Sequence, residues 1–119
     1  MTESLDVQLK KGVLDLCVLA VLSRGESYAY EIAQQLAERI GMGEGTIYPL
    51  MRRLQNDGLV ETYLVESSAG PSRKYYKLTK AGRAAYQKQR AIWAEFARAV
   101  NDICKEPKRD SRDVPRRSA

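Results

Sequence analysis

The stretch that decides the fold is Gly41-Met42-Gly43-Glu44-Gly45-Thr46-Ile47-Tyr48-Pro49-Leu50-Met51-Arg52-Arg53-Leu54-Gln55-Asn56-Asp57-Gly58-Leu59-Val60. Gly41, Gly43 and Gly45 make a turn, and a helix begins near Thr46 with Ile47, Leu50, Met51 and Leu54 as its apolar stripe. Thr46, Tyr48, Pro49, Arg52 and Arg53 fall mostly off that stripe. Pro49 is read into the first turn, where its missing N–H breaks no hydrogen bond. Asn56-Asp57-Gly58 stops the helix, and the period then changes. Leu59 to Val65 alternates loosely with strand-favouring Val60, Thr62 and Tyr63, and Arg73 to Leu78 does likewise through Tyr75, Tyr76 and Leu78. Ser67 to Ser72, with Gly70-Pro71, reads as the hairpin tip between them.

Upstream, a helix from about Tyr28 to Ile40 carries Ile32, Leu36 and Ile40 inward, with Gln34, Gln35, Glu38 and Arg39 toward solvent; Ser27 is its expected N-cap. Before it, Leu9 to Ser23 reads as one helix, apolar on almost every face, which calls for burial on more than one side. Its longest apolar run, Leu16 to Leu22, is far short of the roughly 20 residues that span a bilayer. Asp15 before the run and Arg24 and Glu26 after it argue against an export signal, so a core helix is expected and no membrane partner. Downstream, Thr79 caps a last helix from about Lys80 to Cys104, with Tyr86, Gln89, Trp93, Phe96, Val100 and Ile103 at alternating spacings of three and four. The chain thus divides into a core domain at 1–79, a helix at 80–105 and a basic tail at 106–119 whose composition reads as disordered.

Composition narrows the chemistry. The 119 residues fit one domain, and 44% hydrophobic with 29% charged is ordinary for a folded protein. The absence of histidine removes imidazole acid–base work, Ser-His and Cys-His nucleophiles and His-ligated metals. Neither clustered carboxylates nor an activated-lysine motif takes their place, so no catalytic residue, metal or cofactor is expected. Cys17 and Cys104 lie far apart in apolar surroundings, which suits a reducing cytoplasm. Of the +5 net charge, +3 lies between Lys105 and Ala119, where six basic residues face three acidic ones. Between Glu26 and Glu44, four glutamates oppose Arg39 alone, so a basic surface must lie elsewhere.

Three helices, a hairpin and a long helix, in that order, give a mainly α fold with a small β-hairpin wing: a winged helix-turn-helix plus a C-terminal dimerisation helix. A helix that enters the major groove needs a slim polar N-terminal end. Gly45 and Thr46 supply one, Tyr48 offers a hydroxyl beside Pro49, and Arg52 and Arg53 add charge. The alternative for Tyr48 is packing against the preceding helix, and for the two arginines a solvated face. On the wing, Arg73 and Lys74 follow the turn and are expected against phosphates. Tyr75 and Tyr76 point to opposite faces, one into the core and the other toward the DNA backbone. So few cations per copy bind DNA only modestly at physiological salt, which calls for a dimer. Trp93, Phe96, Val100 and Ile103, with Tyr86, form its seam, and Leu5, Leu9 and Val13 close it alongside. Two-fold symmetry then predicts a pseudo-palindromic duplex operator with half-sites roughly 34 Å apart.

These residues resemble the PadR family of bacterial transcriptional regulators. The resemblance rests on Tyr28-Ala29-Tyr30-Glu31-Ile32, Gly43-Glu44-Gly45-Thr46-Ile47-Tyr48-Pro49-Leu50, Arg53-Leu54, Asp57-Gly58-Leu59-Val60, Gly70-Pro71, Arg73-Lys74-Tyr75-Tyr76 and Leu78-Thr79-Lys80-Ala81-Gly82. It covers about Lys10 to Ile103, and the single last helix looks like the short subfamily. Ala29 stands where members commonly have glycine. The resemblance implies a cytoplasmic repressor whose small aromatic or drug-like effector binds near the dimer interface. It would place that effector on Trp93, with Phe96, Val100 and Gln89 beside it; plain interface core is the other reading of these residues, and helix register that of Gln89. Arg112, Arg116 and Arg117 of the tail would add non-specific attraction to DNA or be a solvated end. A different class, a winged module that docks a protein without specific DNA binding, is favoured by the acidic second helix.

Overall fold

The computed structural model describes residues 5–105; the tail at 106–119, with Arg112, Arg116 and Arg117, lies outside the described residues. Along the chain run α1 (Leu5–Lys11), α2 (Leu14–Ser23), β1 (Ser27–Tyr28), α3 (Ala29–Ile40), α4 (Glu44–Asn56), β2 (Val60–Ser67), β3 (Gly70–Leu78) and α5 (Lys80–Cys104). The expected mainly helical fold with a small antiparallel wing is the one observed. One core fills the space between α2, α3, α4 and the inner face of the sheet. Val18, Leu19, Ile32, Ile47, Met51 and Leu54 are its fully enclosed side chains, closed below by Val60, Tyr76 and Leu78.

Four local expectations need correction. The helix expected from Leu9 to Ser23 is two helices, because Gly12 breaks the run and β-branched Val13 leaves helical geometry at φ −117°, ψ 6°. Ser27 does not cap α3. It sits in β1 opposite Tyr76, is buried, and donates its hydroxyl to the Glu31 carboxylate, while Tyr28 takes the cap position without a side-chain bond. β1 therefore makes the sheet three-stranded, in the order β1-β3-β2. The hairpin tip is also shorter than expected, with Ser67 opposite Gly70. The register slips between Val65↔Arg73 and Ser67↔Gly70, which leaves an extra residue in β3 at Pro71-Ser72, where a proline without an N–H is tolerated. Finally, α4 starts at Glu44, so Pro49 lies inside the helix and not in its first turn. It deprives the Gly45 carbonyl of its helical donor.

Elsewhere the sequence reading stands. α3 ends at Ile40, the α4 stripe of Ile47, Leu50, Met51 and Leu54 is buried, and Ala29 opens α3 partly buried with no positive φ. Gly58, at φ +78°, reverses the chain from α4 into β2 as the Leu59 N–H bonds back to the Leu54 carbonyl at 3.0 Å. Thr79 caps α5 as expected, its hydroxyl accepting from the Gly82 N–H at 3.0 Å and donating to the Gly58 carbonyl at 2.7 Å. A Cβ on Gly82 would lie 1.9 Å from the Leu59 carbonyl oxygen. Only glycine lets α5 start this close to the wing.

At 25 residues, α5 is about 37 Å long, and only its first turns, through Ala85 and Tyr86, pack on the core. Tyr86, read from sequence as part of the dimer seam, is thus partly engaged by its own domain. No helix among the described residues is long and apolar enough to cross a membrane.

Candidate nucleic-acid interface

α4 presents a solvent face opposite its buried stripe. Gly45, Pro49 and Arg52 stand along the middle of that face, all exposed. Tyr48 lies on one flank, half-buried against the core, and its packing raises the phenol's pKa above 10, with the Glu44 carboxylate adding to the rise. The hydroxyl therefore stays protonated, an available donor, throughout the neutral range. Thr46 and Arg53 lie on the other flank, two turns apart. No side chain caps the N-terminal end of α4, and Glu44 sits in the first turn. A phosphate at this terminus would meet that carboxylate before it met the helix dipole.

The wing approaches the Tyr48 flank. Tyr28, Ala29, Tyr30, Tyr48, Arg73 and Lys74 line a groove of about 400 Å³ between the start of α3, α4 and β3. Adjacent residues of a strand point to opposite faces, yet Arg73 and Lys74 both reach this groove. The Arg73 guanidinium lies over the Tyr28 ring, 4.6 Å from its centroid, which draws it across the narrow β1 edge. Lys74 comes from the inner face, with its Nζ 5.8 Å from the Tyr76 ring. Of the two tyrosines, Tyr76 is the buried one, and burial raises its pKa against the lowering influence of Arg52. Tyr75 stands on the outer face between Tyr28, at 5.5 Å, and Tyr63, at 5.8 Å. That row braces a thin sheet; Lys77 sits over Tyr63, and the Tyr63 hydroxyl donates to Glu26.

Tyr28 and Tyr30 were not picked out by chemistry in the sequence, because their place in the groove depends on β1, which pattern reading missed. The Tyr-Ala-Tyr run before an amphipathic helix was the available signal.

A second groove, of about 510 Å³, runs between the α1–α2 corner and α5. Leu9, Val13 and Leu16 form one wall, Gln89, Ile92, Trp93 and Phe96 the other, and Asp15 its rim. Trp93 and Phe96 are tilted at 50° with centroids 6.4 Å apart. Val100 lies outside this groove, one turn further along α5; it is exposed, as are Ile103, Leu5 and, at the groove's edge, Leu9. On α5, Ile92 is the lining residue that the seam pattern did not include.

Arg53 is committed within the molecule. Its Nη2 and Nη1 donate to the two Asp15 carboxylate oxygens at 2.8 and 3.1 Å, and Asp57 stands 4.0 Å away. The Asp15 hydrogen bonds hold its pKa above the ordinary arginine value. Among the described residues no group of three or more His, Cys, Asp or Glu is placed to hold a metal.

The chain matches the family model described as the Transcriptional regulator PadR-like family over residues 18–88. Among solved structures it is similar to a PadR-like transcription factor from Bacteroides fragilis, at 42% identity and a TM-score of 0.68, covering 85% of this chain and 99% of that one. It is also similar to a PadR-like transcriptional regulator from Bacillus cereus, at 36% identity and a TM-score of 0.77, covering 84% and 99%. A transcriptional regulator of Mycobacterium tuberculosis is 31% identical over 96 residues, 78% of this chain and 87% of that protein.

Proposed function

This chain belongs to the PadR-like family of DNA-binding transcriptional regulators, and from that membership we propose that it acts as a homodimeric repressor, released when a small flat apolar effector occupies the groove beside Trp93. α4 enters the major groove. Gly45, Thr46, Tyr48, Pro49 and Arg52 face the duplex, while Arg73 and Lys74 grip the backbone beside Tyr48, with Tyr75 bracing the strand that carries them. Arg53 reaches the duplex only from within its pair with Asp15.

The observation that carries the dimer is the free length of α5. Trp93 is 43% exposed, Phe96 60% and Ile103 82%, and Leu5 and Leu9 sit equally bare on α1. In a two-fold pairing each of these side chains counts twice. Covering them gives roughly 10–20 kcal/mol gross, against an association cost of roughly 4–15 kcal/mol. In such a two-fold pair the two α4 helices would read the two halves of an inverted-repeat operator. The groove lined by Gln89, Trp93 and Phe96 then lies at the edge of the interface, with Val100 further along the same seam. A ligand there changes how two DNA-reading heads are spaced, and release follows from lost register.

The test is selection of binding sequences from a random duplex library, followed by a reporter driven from a promoter overlapping the selected sequence. The expected result is an inverted repeat and a repressed reporter. An enriched sequence without two-fold symmetry, or a reporter that the protein leaves unchanged or raises, would overturn the proposal.

A further inference from the structure

On the side of α4 away from the wing, Lys11, Asp15, Thr46, Pro49 and Arg53 line a recess of about 450 Å³ between the α1–α2 corner and the helix. We propose that this recess seats a backbone phosphate of the DNA, with Arg53 and Lys11 as its cations and Asp15 as the positioning residue that holds the Arg53 guanidinium. The inference rests on the reading of α4 as the DNA-facing helix, and it assigns a second phosphate clamp opposite the one on the wing.

Three features support it. Asp15 and Arg53 are 33% and 54% exposed, so their pair adds little to fold stability in water. Its geometry is nevertheless two-pronged, both carboxylate oxygens accepting from the two terminal nitrogens. Such a fork fixes the guanidinium plane and leaves three of its five N–H donors for another oxyanion. Both partners also ride on immobile supports, since Leu14 beside Asp15 and Leu54 beside Arg53 are core residues. An arginine held in this way loses less rotamer freedom when it meets a phosphate. Asp15 also forms the rim of the Trp93 groove, where it is the one ionisable side chain among the described lining residues. Whatever occupies that groove therefore touches the residue that holds Arg53.

The experiment compares Lys11→Gln, Arg53→Gln, Asp15→Asn and the Asp15→Asn/Arg53→Gln double variant on two duplexes across a salt series. One duplex is the sequence that the wild-type protein selects from a random library; the other is a scrambled version. Lys11→Gln and Arg53→Gln should each lower the slope of log affinity against log salt by about 0.9 per bound subunit. Asp15→Asn keeps both cations, so its slope should hold while its preference for the selected duplex drops several-fold. In the Arg53→Gln background Asp15→Asn should then change nothing further in that preference. The site is overturned if neither glutamine variant alters the slope. Asp15 is overturned as a positioning residue if Asp15→Asn strengthens binding to both duplexes equally, the result expected of a merely repulsive charge. A wild-type protein that selects no sequence overturns the function proposed above as well, which separates the two failures.

Discussion

Removing the Arg73 side chain is the sharpest probe of the wing. Arg73, Lys74 and Arg52 stand on or beside the groove that runs past Tyr48, which makes six cations in a dimer. These six phosphate contacts alone contribute about −5.4 to the slope of log affinity against log salt, a factor of about 2,000 for a fourfold rise in salt from about 50 mM, and Lys11 and Arg53 on the opposite flank add their own share. Arg73→Ala removes two contacts, and the slope should relax by about 1.8. Over the same salt range the variant should lose about 12-fold less affinity than the wild type does. The two binding curves therefore converge as salt rises, although the variant is much the weaker at low salt. Fluorescence anisotropy with a labelled duplex at four salt concentrations measures this directly. Because Arg73 lies exposed over Tyr28, thermal unfolding should barely change. An Arg73→Ala protein with weaker binding and an unchanged slope would refute the reasoning, since it would mean that the guanidinium braces the β1 edge and meets no phosphate.

Three further outcomes follow from the packing. Gly82→Ala pushes a methyl group into the Leu59 carbonyl, 1.9 Å away, and should cost about 1–3 kcal/mol in urea unfolding; a loss below about 0.5 kcal/mol would mean that the α5 start shifts freely. Trp93→Ser with Phe96→Ser removes the exposed aromatic pair and should turn a micromolar dimer into monomer by sedimentation equilibrium, with the helical signal kept; a wild-type monomer at that concentration would refute pairing through α5. Burial raises the folded-state pKa of Tyr76 above 10, so the folded protein holds that proton more tightly than the unfolded chain. The resulting stability is complete below pH 10 and is lost as pH rises past 10 through the folded value. Tyr76→Phe should flatten that alkaline decline in urea titrations between pH 9 and 11, and an unaltered slope would refute the assignment.

How much of this was legible in the sequence depends on the range of the interactions. α4's inward face and the full span of α5 were readable because each is set by a local period of apolar residues and by caps close in sequence. β1 was not readable: two residues have no period, and Ser27 and Tyr28 become strand only because β3, nearly fifty residues later, offers its edge. With β1 went the Tyr28–Arg73 contact, and hence the reason two oppositely directed cations share one groove. The α1–α2 break was within reach, since Gly12 next to a β-branched residue is a weak point in any helix. It was hidden because Val13 and Leu14 carry the apolar pattern across the break toward Leu16. Arg53 could not be assigned from sequence either, because its partner lies 38 positions away on another helix.

α4 breaks two local rules at once, and both breaks fall on its exposed face. Pro49 costs a helical hydrogen bond in the second turn, a defect worth about 3 kcal/mol in an isolated helix. Glu44, by contrast, is favourable at a helix N-terminus yet unfavourable beside a phosphate backbone. A helix selected for stability alone would keep the glutamate and lose the proline. Four enclosed side chains, Ile47, Leu50, Met51 and Leu54, anchor α4 strongly enough to tolerate the proline. What Pro49 supplies in return is a rigid apolar ridge between Tyr48 and Arg52, with the Gly45 carbonyl left open beneath it as an acceptor. In the proposed DNA-bound arrangement, Glu44 at the tip disfavours a phosphate there and leaves backbone contacts to the flanks, where Arg73 and Lys74 lie on one side and Lys11 and Arg53 on the other. Exchanging Glu44 for Gln should accordingly raise affinity for scrambled and selected duplexes alike and lower the ratio between them. If the ratio rises, the carboxylate is no gatekeeper and the helix terminus itself holds a phosphate.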